Sequence, residues 1–245
     1  MLEPPMNEIV RWDPREGIIG VVGVAPAATV DFYRKLVEMT PAKKDWEHVR
    51  VLIDSNPKIP SRGRHLELGE TDPSPYIRES IIQLYRAGST VIAVPCNTAH
   101  ILYERYAVDL PPVELPHMIT VTVDELMRAV GTPPRRVAVF ASRLTTRHNL
   151  YGDALALHGG TLLDTSGTQE EVSSLIEEVK QGRPLLKCHD RMLRVLAQYP
   201  SADAVVVGCT ELSLLLDQVH CRVPLIDSNV AMARACLAIA KKTAI

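Results

Sequence analysis

Val91-Ile92-Ala93-Val94-Pro95-Cys96-Asn97-Thr98-Ala99-His100 decides the fold. Four apolar residues in a row, Val91 to Val94, read as a strand buried on both faces, as in a parallel sheet covered by helices. Pro95 stops the ladder pairing. A thiol, an amide and a hydroxyl follow at once, where the carboxyl end of a parallel strand meets the crevice in which α/β proteins hold ligands. The second half carries a counterpart: Ala204-Val205-Val206-Val207 runs into Gly208-Cys209-Thr210-Glu211. One such strand is weak evidence, because a cysteine ending a buried strand is by itself more often a small core residue. Two in one chain suggest two thiols facing one site.

Outward from these strands the chain falls into matching halves. Gly17–Val24 reads as the first strand. The spacing predicts a helix over Ala27–Met39, with Val30, Tyr33, Leu36 and Val37 as its apolar stripe. Val49–Ile53 is a second strand, and 54–64 a loop. A helix from Asp72-Pro73 to Ala87 ends at Gly88. After Cys96 a short helix is expected from Ala99, capped by Asn97 or Thr98. The second half gives a strand at Arg135–Phe140, a polar loop at 141–146, then a helix through Leu157. A strand at Thr161–Leu163 follows, with helices at Glu170–Gln181 and Pro184–Gln198 before the strand to Cys209. Each half closes alike. Leu115–Ile119 leads to a helix at 123–130, and Val223–Asp227 to one at 230–239. The fold class is therefore α/β: two similar domains with parallel sheets related by a pseudo-twofold, and an active site in the interdomain cleft. The expected division is an N-terminal extension at 1–16, a first domain at 17–114 plus about 225–245, and a second at 115–224.

At 245 residues the chain is long enough to bury substantial cores. Its net charge of −2 gives no basis for a nucleic-acid or anionic-membrane partner. No apolar run approaches the roughly 18–20 residues that span a bilayer, and residues 1–16 lack a signal-peptide core. A cytoplasmic location is expected, with the five cysteines as free thiols. Cys96 with His100, or Cys188 with His189, lacks the paired spacing of a zinc site. Gly17, Gly20 and Gly23 do not form a dinucleotide fingerprint, and no lysine stands in a recognisable Schiff-base setting.

Two thiols on opposite sides of a tetrahedral carbon have a specific use. One, as thiolate, takes the proton; the other returns a proton to the opposite face, and the centre inverts. Substrate and product are then mirror images at that carbon, which suits quasi-symmetric halves. Asn97, Thr98 and Thr210 stand beside the thiols, where with backbone N–H groups they would hold a carboxylate and its developing charge. Helix N-termini after both strands are expected to lower the thiol pKa values.

Pro95-Cys96-Asn97-Thr98-Ala99-His100 together with Gly208-Cys209-Thr210-Glu211 resembles the aspartate/glutamate racemase family, the aspartate racemase branch most nearly, over about residues 17–240. Ser55-Asn56-Pro57-Lys58-Ile59-Pro60-Ser61-Arg62 resembles the family's Asn-Pro-x-Ile-Pro-x-Arg loop, and Pro224-Leu225-Ile226-Asp227 its C-terminal segment. The resemblance implies a racemase that needs neither pyridoxal phosphate nor metal, with Cys96 and Cys209 as its catalytic pair. It implies that Asn97, Thr98, Thr145 and Thr210 contact the α-carboxylate and amino group. Arg62 would hold the side-chain carboxylate, with Lys180 near it, and the protein would be a homodimer. A guanidinium fork suits a carboxylate, although an isolated loop arginine is commonly just solvated, and Lys180 also suits a helix C-terminus.

Two loops depart from the family pattern. Val22 and Ala25 replace glycines of the first loop, which would crowd a backbone near the ligand. Ala141-Ser142-Arg143-Leu144-Thr145 has Leu144 in place of glycine and an added charge at Arg143. The leading expectation is an aspartate racemase. The alternatives are a racemase of glutamate or another amino acid, a related isomerase or decarboxylase of carboxylates, or a non-catalytic amino-acid-binding relative. Two retained thiols favour racemisation over decarboxylation, which needs one proton donor.

Overall fold

The apolar runs form two parallel sheets. The structure, a computed structural model, describes residues 15–130, 136–217, 219 and 221–242. The first half runs β1 (Ile19–Gly23), α1 (Pro26–Met39), β2 (Val51–Ser55), α2 (Arg62–Leu68), α3 (Ser74–Arg86) and β3 (Val91–Ala93). A 3-10 turn at Asn97–Leu102 leads to α4 (Tyr103–Tyr106) and α5 (Met118–Val130). Then come β4 (Arg136–Ala141), α6 (Arg143–Arg147), α7 (Leu150–Ala156), β5 (Thr161–Leu162), α8 (Gln169–Lys180) and α9 (Leu185–Leu196). β6 (Ala204–Gly208), α10 (Thr210–Ser213), β7 (Leu225–Asp227) and α11 (Ser228–Lys242) complete the chain. The expected N-terminal extension lies outside the described residues apart from Arg15 and Glu16, as does Arg135.

The sheets are ordered β2-β1-β3 and β5-β4-β6-β7, every pair parallel. Both place the first strand of the half at the centre, which is the repeat expected from the sequence. β1, β3 and β6 are buried along their whole length, because helices cover both faces of a parallel sheet. Glu114 bridges to Val91 at the edge of the first sheet, where β7 sits in the second.

The connections cross between the halves. After Glu114, α5 lays Ile119, Val123 and Leu126 on the second sheet, against Val137, Val139 and Val206. After β7, α11 returns Met232, Ala233 and Cys236 to Ile19, Val21 and Phe32 of the first. β7 itself belongs to the second sheet, so the return begins at Ser228, three residues beyond the expected Leu225.

Local structure corrects several expectations. α1 buries Ala28, Asp31, Phe32, Lys35 and Leu36, whereas Val30, Tyr33 and Val37 are exposed. Periodicity alone does not choose between two stripes of one helix, and the buried stripe holds an acid and a base that neutralise each other. The supposed loops at 54–64 and 141–146 each contain a helix start. Ser61 Oγ accepts from the Arg64 N–H at 3.3 Å and Ser142 Oγ from the Thr145 N–H at 3.3 Å, ordinary N-caps. After β3 neither Asn97 nor Thr98 caps the turn. Cys96 occupies that position, and its neighbours' side chains bond elsewhere.

Candidate active site

β3 and β6 end in the same way, each delivering an extended cysteine at the start of a short helical turn (φ −157° at Cys96, −148° at Cys209). Both cysteines line one cavity of about 220 Å³, together with Arg62, Thr98, Lys180 and Glu211. Ser142, Arg143 and Leu144 form another of its walls. Of the residues singled out in the sequence, Cys96, Cys209, Thr98, Arg62 and Lys180 therefore meet here. The side chains of Asn97, Thr145 and Thr210 are buried outside its lining. Val22 is sealed in the core of the first half, and Ala25 does not line the cavity, so the first-loop departure does not crowd it. Leu144 and Arg143 do.

The Cys209 thiol is 6% exposed and donates to Glu211 Oε2 at 3.2 Å. Burial is the largest influence pushing its pKa well above the ordinary thiol value, and the Glu211 charge and hydrogen bond add to it. The backbone N–H groups of Glu211 and Leu212 pull the other way and lose. The expected lowering by the helix N-terminus is thus reversed at Cys209, because α10 has only four residues and a carboxylate sits beside the sulfur. Cys209 rests as a thiol, the form that gives a proton.

Arg62 enters from the start of α2. Its guanidinium donates to the carbonyls of Pro60 (3.2 Å) and Val24 (3.4 Å), and its Nε is buried without a hydrogen-bond partner. No carboxylate pairs with it among the described residues. A guanidinium so placed is held by the protein but not neutralised, and suits an incoming carboxylate. Lys180 approaches from the last turn of α8.

Thr98 and Ser142 put their hydroxyls at the cavity wall, and Thr145 backs them. Thr98 Oγ1 lies 2.9 Å from Ser142 Oγ and 3.3 Å from Thr145 Oγ1, and Ser142 Oγ lies 3.0 Å from Thr145 Oγ1. Behind them the Tyr151 hydroxyl donates to Asn97 Oδ1 at 2.6 Å, and Asn97 Nδ2 donates to Ser228 Oγ at 3.0 Å. Asn97 thereby ties the turn after Cys96 to α7 and α11. Gly208 is needed beside it, because a Cβ there would come within 2.5 Å of the Tyr151 ring. His100 is fully buried and bonds through Nδ1 to the Cys96 carbonyl at 3.0 Å; burial pushes its pKa down to about 3, so it stays neutral.

Behind Cys209 a buried charge cluster joins the halves. Lys35 Nζ donates to Asp31 Oδ2 and Asp227 Oδ2, both at 2.7 Å, and contacts Ser213 of α10. Ser213 Oγ donates to Asp227 Oδ2 at 2.7 Å. Asn229 Nδ2 donates to Asp31 Oδ2 at 2.9 Å. Sequence reading missed this cluster, Glu211 and Tyr151. Glu211 was legible as an acid two residues from a candidate thiol. The cluster had only its charged residues at apolar-stripe spacing to announce it.

The family model for Asp/Glu/hydantoin racemases matches residues 20–236. The broad specificity amino-acid racemase RacX of Bacillus subtilis is 25% identical over 228 residues, covering 89% of this chain and 96% of that protein. The aspartate racemase of Picrophilus torridus superposes with a TM-score of 0.81 at 26% identity, over 93% of this chain and 97% of the other. An aspartate racemase homologue from Pyrococcus horikoshii shares the fold, with a TM-score of 0.72 at 23% identity over 92% and 99% of the two chains.

Proposed function

As the chain belongs to the Asp/Glu/hydantoin racemase family, we propose that it inverts the α-carbon of a free acidic amino acid, aspartate first among them, by two-base chemistry at Cys96 and Cys209. One sulfur, as thiolate, takes the α-proton and the other thiol returns a proton from the opposite face. With Cys209 resting protonated, Cys96 is the base for the enantiomer that presents its α-hydrogen to β3. Thr98, Ser142 and nearby N–H groups receive the α-carboxylate as charge builds on it. Arg62 takes the side-chain carboxylate and Lys180 adds positive potential. Asn97 and Tyr151 hold the Cys96 turn, and Glu211 receives the substrate ammonium or the Cys209 proton.

The observation that carries this reading is a single cavity bordered by a cysteine from each of the two sheets and by the Arg62 guanidinium, which forms no ion pair among the described residues. Homodimerisation and a cytoplasmic location belong to the same proposal. The exposed stripe Val30, Tyr33 and Val37 on α1 is an apolar face that a second copy would cover, and sedimentation of Tyr33→Glu against the wild type tests that.

The mechanism is tested with Cys96→Ser and Cys209→Ser. Each is expected to abolish net inversion. In D₂O, a variant that keeps its base for one enantiomer still exchanges that enantiomer's α-proton. Full inversion by either variant rules out the two-base assignment.

A further inference from the structure

Two hydrogen-bond paths that start beside different cysteines end on neighbouring residues. Next to Cys96, Asn97 Nδ2 donates to Ser228 Oγ at 3.0 Å. After Cys209, α10 makes a single turn, in which the Ser213 N–H donates to the Cys209 carbonyl at 3.2 Å. Ser213 Oγ then donates to Asp227 Oδ2 at 2.7 Å. One peptide bond joins Asp227 to Ser228. The turns that carry the two thiols are thus linked across the two halves, through the point where β7 becomes α11.

That point is itself held from several sides. The register of the second sheet sets Asp227 beside Val207, two residues before Cys209. Asp227 Oδ1 accepts from the Asn229 N–H at 2.8 Å, a cap for α11. Its other oxygen accepts from Lys35 Nζ of α1 at 2.7 Å. Asn97, Ser213, Ser228 and Asn229 are at most 3% exposed. Buried groups have no bulk water to turn to, so a side chain that loses its partner here must move or stay unpaired. Ser213, Asp227 and Ser228 do not line the cavity, so they act through the cysteine turns and not on a ligand.

We propose that Asp227 and Ser228 form a brace that fixes the separation of the two thiols, with Asn97 and Ser213 as its arms. Inversion by two bases needs both sulfurs aligned on one carbon, and a displacement of about 1 Å costs on the order of 100-fold in rate. The brace rests on the racemase reading and adds positioning residues to it.

Ser228→Ala and Ser213→Ala cut the arms one at a time. Ser80→Ala is the control, a buried serine bonded to Asp54 outside the cavity lining. L-Aspartate in D₂O is followed by proton NMR and chiral chromatography, which separate α-proton exchange with retention from inversion. Both arm variants lose at least about tenfold in kcat for inversion, KM changes less, and the ratio of retentive exchange to inversion rises. A smaller folded fraction lowers both rates alike and leaves that ratio unchanged. Ser228→Cys, a weaker acceptor of similar shape, raises the ratio too and serves where Ser228→Ala does not fold. A wild-type ratio in either arm variant overturns the brace, as does an equal rise in Ser80→Ala. Crystal structures of the wild type and the arm variants give the Cys96–Cys209 sulfur separation directly. Should no amino acid exchange, the racemase reading fails and these structures decide the brace. A separation changed by more than about 0.5 Å supports it, and an unchanged one overturns it.

Discussion

Lys35→Met attacks the joint between the halves without touching the cavity. Lys35 and Asp31 are almost completely buried, with side chains 7% and 1% exposed, and Asp227 is 10% exposed. Methionine fills similar space but leaves two buried carboxylates sharing Ser213, with Arg34, on the other oxygen of Asp31, as the cation that remains. Removing one partner of a buried pair costs about 3–5 kcal/mol, and for a chain of this size that lowers Tm by roughly 6–20 °C. The loss also depends on pH. Burial alone pushes Asp31 up, but the Lys35 charge and hydrogen bond, with Arg34 and Asn229, hold it below the ordinary carboxylate value. In the wild type that stabilisation is present above the unfolded pKa and disappears as pH falls through the lower folded one. In the variant the lysine is gone and only Arg34 and Asn229 oppose burial, so the Asp31 pKa rises and the stabilisation its ionised form gave at neutral pH shrinks, a loss that fades in acid as the carboxylate is protonated. The two stability curves therefore converge below about pH 5. Urea melts of both proteins from pH 4 to 8 measure this, and adding Asp31→Asn should recover part of the loss at pH 7. A deficit under about 1 kcal/mol, as expected of a surface pair, or one equal at every pH, refutes the reasoning.

Arg62→Ala should raise KM for aspartate at least about tenfold, with a smaller effect on alanine, because it removes a charge-assisted fork from one carboxylate; an unchanged aspartate-to-alanine preference contradicts its assignment. Glu211→Gln should lower the Cys209 pKa by removing the adjacent negative charge, read as a shift of its alkylation rate to lower pH. Gly208→Ala should displace Tyr151 and cost about 1–3 kcal/mol as an overpacked site, with activity lost through the Asn97 turn; a thermal melt and a crystal structure check both.

The sheets were legible because fully buried strands are written as unbroken apolar runs, and Val91–Val94 and Ala204–Val207 could be little else. The repeat was legible because both halves end a strand in a cysteine. The buried face of α1 was not, because Asp31 and Lys35 look like surface residues until their partners on α10 and β7 arrive from the far end of the chain. Asn97 looked like a cap or a ligand contact, and its commitment to Tyr151 and Ser228 depends on residues 54 and 131 positions away. The same holds for Cys209: a strand-to-helix junction suggests an activated thiolate, and only burial beside Glu211 reverses it. Arg62 was singled out by motif; in the structure its guanidinium bonds to the Pro60 and Val24 carbonyls and to no acid among the described residues.

The central claim is tested most directly by incubating reduced protein with L-aspartate in D₂O, following the α-proton by NMR and the enantiomers by chiral chromatography in the same samples. The account predicts loss of the α-proton signal together with D-aspartate, and neither product from Cys96→Ser/Cys209→Ser. D-Aspartate formed by that double variant, or aspartate bound by the wild type with no exchange, would contradict it.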